Sequence, residues 1–145
     1  MHSADKGGRH VHESARLALS RESEAEIPSV ASEWAEKVKS STGLPSYRTL
    51  DGTALKWKAS LLLDLLQLAG WDSVLLSSQP FVSSFMREVY RGALPADQAC
   101  LALRLLQDTM WQHLLNRPFL QDQNGDQEVS RVFTSCFDAL EQACR

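Results

Sequence analysis

No apolar run in this 145-residue chain approaches the roughly 20 residues that cross a bilayer, and the first twelve residues hold no apolar stretch of the secretory kind. An Asn-x-Ser/Thr acceptor is also missing. These absences lead us to expect an intracellular protein, cytoplasmic or nuclear, with no membrane contact. Cysteine is scarce and odd in number: Cys100, Cys136 and Cys144. On one helix Cys136 and Cys144 would stand about 12 Å apart, too far for a mutual bridge, so reduced thiols are expected. Neither charge sign dominates. With 15 basic and 18 acidic side chains the net charge is −3, which gives no general pull toward nucleic acid or anionic lipid.

Chemistry-bearing motifs are equally thin. There is no glycine-rich phosphate loop. His2, His10 and His12 lie near the start, where His10-x-His12 lacks a third or fourth ligand, and His113 has no Cys, Ser or second His one helical turn away. The segment Asp122-Gln-Asn124-Gly-Asp126-Gln-Glu128 alternates oxygen ligands as a calcium loop does. Its glycine falls at the fourth position rather than the sixth, and Phe133 stands where the bidentate Glu belongs. We therefore expect no metal, no cofactor and no catalytic group. No stretch alternates with period two long enough for a strand.

What is present is a phrase nearly repeated. Leu61-Leu-Leu63-Asp64-Leu65-Leu66-Gln67, followed by Trp71, returns as Leu101-Ala-Leu103-Arg104-Leu105-Leu106-Gln107, followed by Trp111. Each copy continues with an apolar pair, Leu75-Leu76 or Leu114-Leu115, and then Pro80-Phe81 or Pro118-Phe119. Such self-similarity is what stacked helical hairpins leave in a sequence, because each hairpin has a face that only its neighbour covers. Around the repeat, Val30, Trp34 and Val38 recur at helical spacing until Gly43-Leu-Pro45. Asp51 reads as the N-cap of a helix ending near Ala69, with Gly70 as its left-handed C′ residue. That helix reads as buried on nearly every side, its Leu62-x-x-Leu65-Leu66 belonging to the core rather than to a receptor groove. Further helices are expected over 80–91, 95–116 and from Asp126, an N-cap after the Asn124-Gly125 turn, to about residue 143. Residues 1–28, rich in charge and poor in large apolar groups, read as a flexible arm before a domain over 29–145, with His12–Glu26 compatible with a short helix through Ala15, Leu17 and Leu19 but showing no continuous stripe.

Over residues 52–144 the repeated leucine spacing resembles that of armadillo and HEAT-type α-helical repeats. The resemblance implies two helix pairs, 52–69 with 80–91 and 95–116 with 127–143, stacked right-handedly and showing one surface to a peptide or protein partner. Two units fall short of a self-standing solenoid, so either 29–42 acts as a cap, or a partner supplies one, or the whole is an ordinary five-helix bundle. The fold class expected is all-α, either a five-helix HEAT/armadillo-like stack or an irregular helical bundle, with a disordered N-terminal arm. Stacking would bring Asp64 and Arg104, equivalent in the two copies, within reach of each other. Partner-binding candidates are Trp34, Lys56, Trp57, Lys58, Asp64, Arg104 and Phe119, since aromatic side chains among charges anchor interfaces. The function expected is a non-enzymatic adaptor for another protein. Alternatives are a homodimer sealed through Phe119-Leu120 with Phe133, Phe137 and Leu140, and a nucleic-acid module using Lys37, Lys39, Arg48, Lys56 and Lys58.

Overall fold

The computed structural model of the chain describes the backbone of residues 2–121 and 123–145 and the side chains of 13–120 and 127–145. Every regular element in it is helical: α1 (His2–Glu24), α2 (Ile27–Ser40), a 3-10 turn (Pro45–Tyr47), α3 (Gly52–Leu68), α4 (Ser73–Ser78), α5 (Pro80–Ser84) running into a π-helical segment (Phe85–Arg91), α6 (Ala96–Leu115), a second 3-10 turn (Pro118–Gln121) and α7 (Gln123–Cys144). Local chemistry sets several boundaries. The Asp51 carboxylate accepts from Ala54 N–H at the start of α3, and Asp72 accepts from Val74 and Leu75 N–H at the start of α4. Gly70 and Gly92 take positive φ at helix ends. The backbone of α7 already runs from Gln123. The expected Asp126 cap and the oxygen groups of the rejected calcium loop before Gln127 lie outside the described side chains.

Seven α-helices among the described residues replace the five expected, and the largest difference is at the start. Residues 1–28, expected as a flexible arm, carry α1, which packs along α7 and also touches α6. Ala15, Leu19, Ser23 and Ile27 are four apart and all buried. The stripe escapes notice in the sequence because one member is a serine. Its hydroxyl is shared between the Leu19 carbonyl and Gln67 Oε1, 2.8 Å away, so the polar group is satisfied inside. Gln67 is the hub of this contact: Nε2 donates to Ser20 O at 2.7 Å, and Oε1 accepts the Trp71 indole N–H at 2.7 Å.

Two helices organise the core. α2 packs against both α3 and α6, while α7 packs against α1, α4, α5, the π segment and α6. The repeat-equivalent helices α3 and α6 thus share α2 as a common neighbour. Trp34 of α2 is fully buried, donates its indole N–H to Ala102 O at 2.7 Å, and meets Tyr47 and Tyr90 edge-on and tilted. A second aromatic cluster joins the two tryptophans of the repeat. Trp71 stacks on Phe133 with centroids 5.6 Å apart, and Trp111 reaches the same ring at 5.0 Å.

A polar seam fastens α1 and α2 to the end of α6. Arg117 Nε lies 2.8 Å from Glu22 Oε1, and its Nη1 pairs with Glu26 Oε2 at 2.5 Å. His113 stands between Glu26, at 2.9 Å, and Glu33, at 3.4 Å. The Arg117 bond holds the Glu22 carboxyl below its ordinary range, and the His113 and Arg117 bonds do the same for Glu26 against the opposing effect of burial.

Candidate docking face on helix α3

α3 has two faces of unlike exposure but similar chemistry. Leu55, Ala59, Leu62, Leu63, Leu65 and Leu66 point inward and are buried. The outward strip runs Trp57, Leu61, Asp64, Leu68, spaced four, three and four residues apart, over about 16 Å of helix. Trp57 is 61% exposed and Leu68 85% exposed, with Leu61 partly covered between them. Three of the four positions of this strip are large and apolar, and Thr53, Ala54 and Lys56 are exposed beside it. The four positions have the spacing with which one helix receives another along a seam, with a carboxylate at the third of them. Leaving such a strip in water costs nothing structurally, but covering it releases about 1.5–3 kcal/mol per large side chain.

Charge marks both ends of the strip. Lys56 is exposed beside Trp57. Lys58 is half withdrawn, donating from Nζ to the Tyr90 carbonyl at 2.7 Å, and burial lowers its pKa from the ordinary lysine range. Asp64 sits exposed in the middle of the strip and makes no ion pair among the described residues. Past Leu68 the chain turns at Gly70, whose carbonyl accepts Arg16 Nε–H at 2.9 Å. Here Glu13, Arg16, Leu17, Ser20 and Gly70 line a shallow cleft of about 310 Å³, with Leu17 69% exposed. A neighbouring cleft of about 360 Å³ lies between Arg16, Trp71, Val74 and Arg131. Its Arg16 is already engaged by Gly70 and by Asp72 at 3.8 Å, and its Arg131 by Glu128 at 3.8 Å.

The residues singled out from sequence divide accordingly. Lys56, Trp57 and Asp64 share the outward side of α3. Lys58 is on the same helix, but its ammonium is held by Tyr90. Trp34 is not a surface anchor, because its ring fills the core between α2, α6 and the π segment. The Asp64–Arg104 pair does not form: Arg104 Nη2 lies 2.8 Å from Glu141 of α7 instead, since α2 occupies the position beside α3. Phe119 is half-buried against the core, and Phe133, Phe137 and Leu140, expected at a homodimer seam, are buried within the chain. Leu61 and Leu68 were missed. Reading α3 as buried on nearly every side hid them, although their spacing from Trp57 was visible.

Among the described residues no group of three or more His, Cys, Asp or Glu side chains is placed to hold a metal ion, and no helix is long and apolar enough to cross a membrane. No family model matches the chain, and no curated protein or solved structure matches it.

Proposed function

We propose that this chain is a non-enzymatic helical adaptor that receives an amphipathic helix of another protein along the outward face of α3. The observation that carries the reading is the outward strip of exposed Trp57, Asp64 and Leu68 with partly covered Leu61, on a helix whose other side is core. Large apolar side chains left in water along one helix face are a feature of interaction sites. The lone carboxylate selects the partner: a Lys or Arg opposite Asp64 would leave no uncompensated charge in the seam, and an acidic side chain would suit Lys56 at the other end. A second copy of the chain fits less well, because parallel pairing sets Asp64 against Asp64 and antiparallel pairing sets it against Leu61. As to architecture, we infer an irregular helical bundle in preference to a right-handed armadillo or HEAT-type stack. The shared docking of α3 and α6 on α2 supports that choice, and the convergence of Trp71 and Trp111 on Phe133 accounts for the repeated phrase.

The experiment is affinity capture from cell extract with the wild-type chain and with the Trp57→Ala/Leu68→Ala double variant. The pair contributes enough apolar burial that its loss should weaken binding by about a hundredfold, or roughly 3 kcal/mol. The thermal melt should not move, since neither side chain is in the core. A partner set retained unchanged by the double variant would refute the placement. A captured segment with no helical propensity would refute the class of partner.

A further inference from the structure

α1 and the end of α3 run alongside each other in opposite directions. Gln67 Nε2 donates to Ser20 O at 2.7 Å and Arg16 Nε donates to Gly70 O at 2.9 Å, so residues 16–20 of α1 stand opposite residues 67–70. Leu17 and Leu68 belong to those facing stretches, and both are mostly in water, at 69% and 85% exposure. Beside them opens the cleft of about 310 Å³ lined by Glu13, Arg16, Leu17, Ser20 and Gly70. The apolar strip of α3 therefore does not stop at Leu68. It continues sideways onto α1, and a single helix, about 10–12 Å across with its side chains, can cover both leucines where it passes over the end of α3.

Charge gives this surface a direction. Lys56 is exposed beside Trp57, Asp64 is exposed in mid-strip, and Glu13 is exposed at the cleft; none of them makes an ion pair among the described residues. Arg16, the cation of the cleft, is drawn instead to the Gly70 carbonyl and to Asp72 at 3.8 Å. Uncommitted charge thus runs from positive at the Trp57 end to negative at the Leu17 end. The dipole of α3 runs the same way, positive at its start near Lys56 and negative at its end near Leu68. Building on the docking of a helix along α3, we propose that the partner helix lies antiparallel to α3, with its N-terminal turn over Glu13 and Leu17 and its C-terminal turn over Lys56 and Trp57. The partner's own dipole then sets positive against Glu13 and negative against Lys56, and a cation in its middle meets Asp64. An apolar side chain of its N-terminal turn enters the cleft against Leu17, which makes Leu17 a second anchor on a different helix from the first.

The probe is a synthetic helical peptide of about 18 residues, long enough at roughly 1.5 Å per residue to reach from Trp57 past Leu68. Its leucines and lysines follow a near-palindromic pattern and its ends are acetylated and amidated, so that beyond its dipole it carries no preference for either direction. A nitroxide is attached at one end or the other, and the full isotope-labelled chain is observed by NMR. The N-terminal label should broaden the amide signals of Leu17 and Ser20, and the C-terminal label those of Lys56 and Trp57. The Leu17→Ala variant should bind the peptide about tenfold more weakly with its melt unmoved, since the side chain lies outside the core. A reversed pattern, or both labels broadening both ends alike, would overturn the direction while leaving the docking face intact. Affinity unchanged by Leu17→Ala would overturn the second anchor. A peptide that broadened neither end, or whose binding ignored Trp57→Ala/Leu68→Ala, would overturn the docking face itself and the direction with it.

Discussion

Two consecutive residues, Gly70 and Trp71, both take positive φ, at 62° and 54°. For glycine this is free. For a tryptophan it costs about 1–2 kcal/mol, and the cost is offset by its indole bond to Gln67 and its stack on Phe133. Two glycine substitutions separate conformation from space. A Cβ at Gly70 would sit at left-handed φ and 3.3 Å from Arg16 Nη2, so Gly70→Ala should destabilise the fold by about 1–2 kcal/mol. A Cβ at Gly52, in the first turn of α3, meets nothing within 4 Å, so Gly52→Ala should stabilise by about 0.4–1 kcal/mol. Urea denaturation of the two variants measures both, and equal shifts would show that backbone conformation at Gly70 carries no cost. Gly70 was legible from sequence because a glycine after an apolar helix has a known conformational use. Trp71 was not, because its conformation depends on Gln67, whose side chain is aimed by a helix that seemed to be an arm.

At the scale of elements, α1 and the turn after it are joined to the end of α6 by two carboxylates whose partners are Arg117 and His113. Glu22 and Glu26 have folded-state pKa values below the ordinary glutamate value, so the unfolded chain binds protons more readily than the folded one. The stabilisation is present above the unfolded value near 4.5 and is lost as pH falls through the folded values. Unfolding by urea should therefore become easier on acidification below that point. The Glu22→Gln/Glu26→Gln variant should be weaker than wild type at pH 6 and show a flatter acid limb, and an acid limb as steep as wild type would show that the seam is not the cause. This seam could not be read from the chain, since Glu22 and Arg117 are separated by most of its length and neither stands in a recognisable pattern. α3 is the opposite case. Its cap, its end and its buried leucines were all readable from periodicity. Its wet side was misjudged because a leucine carries no mark of whether it faces the core or a partner.

For the whole molecule, the question is whether the first helix belongs to the folding unit. Composition argued against it: residues 1–28 hold too few large apolar groups to repay their own ordering. The structure meets that objection by spending few side chains well. Leu19 is completely covered, Ser23 and Ser20 tie into Gln67, Arg16 bonds the Gly70 carbonyl, and Glu22 holds Arg117. The polar contacts reach α3 with the turn after it and the end of α6, and α1 packs along α7, so α1 acts as a clasp across α3, α6 and α7. If so, Leu19→Ala should cost about 2–5 kcal/mol, the range for emptying a closed leucine site, and should lower the single cooperative transition of the whole chain. An arm that merely rests on the surface would give a change within about 0.5 kcal/mol. A separable helix would instead melt early as its own phase, with the Trp71 fluorescence environment changing before the far-ultraviolet signal of the remaining helices. Denaturant curves followed by both probes distinguish these outcomes, and coincident curves shifted together to lower urea are the result that a clasp requires.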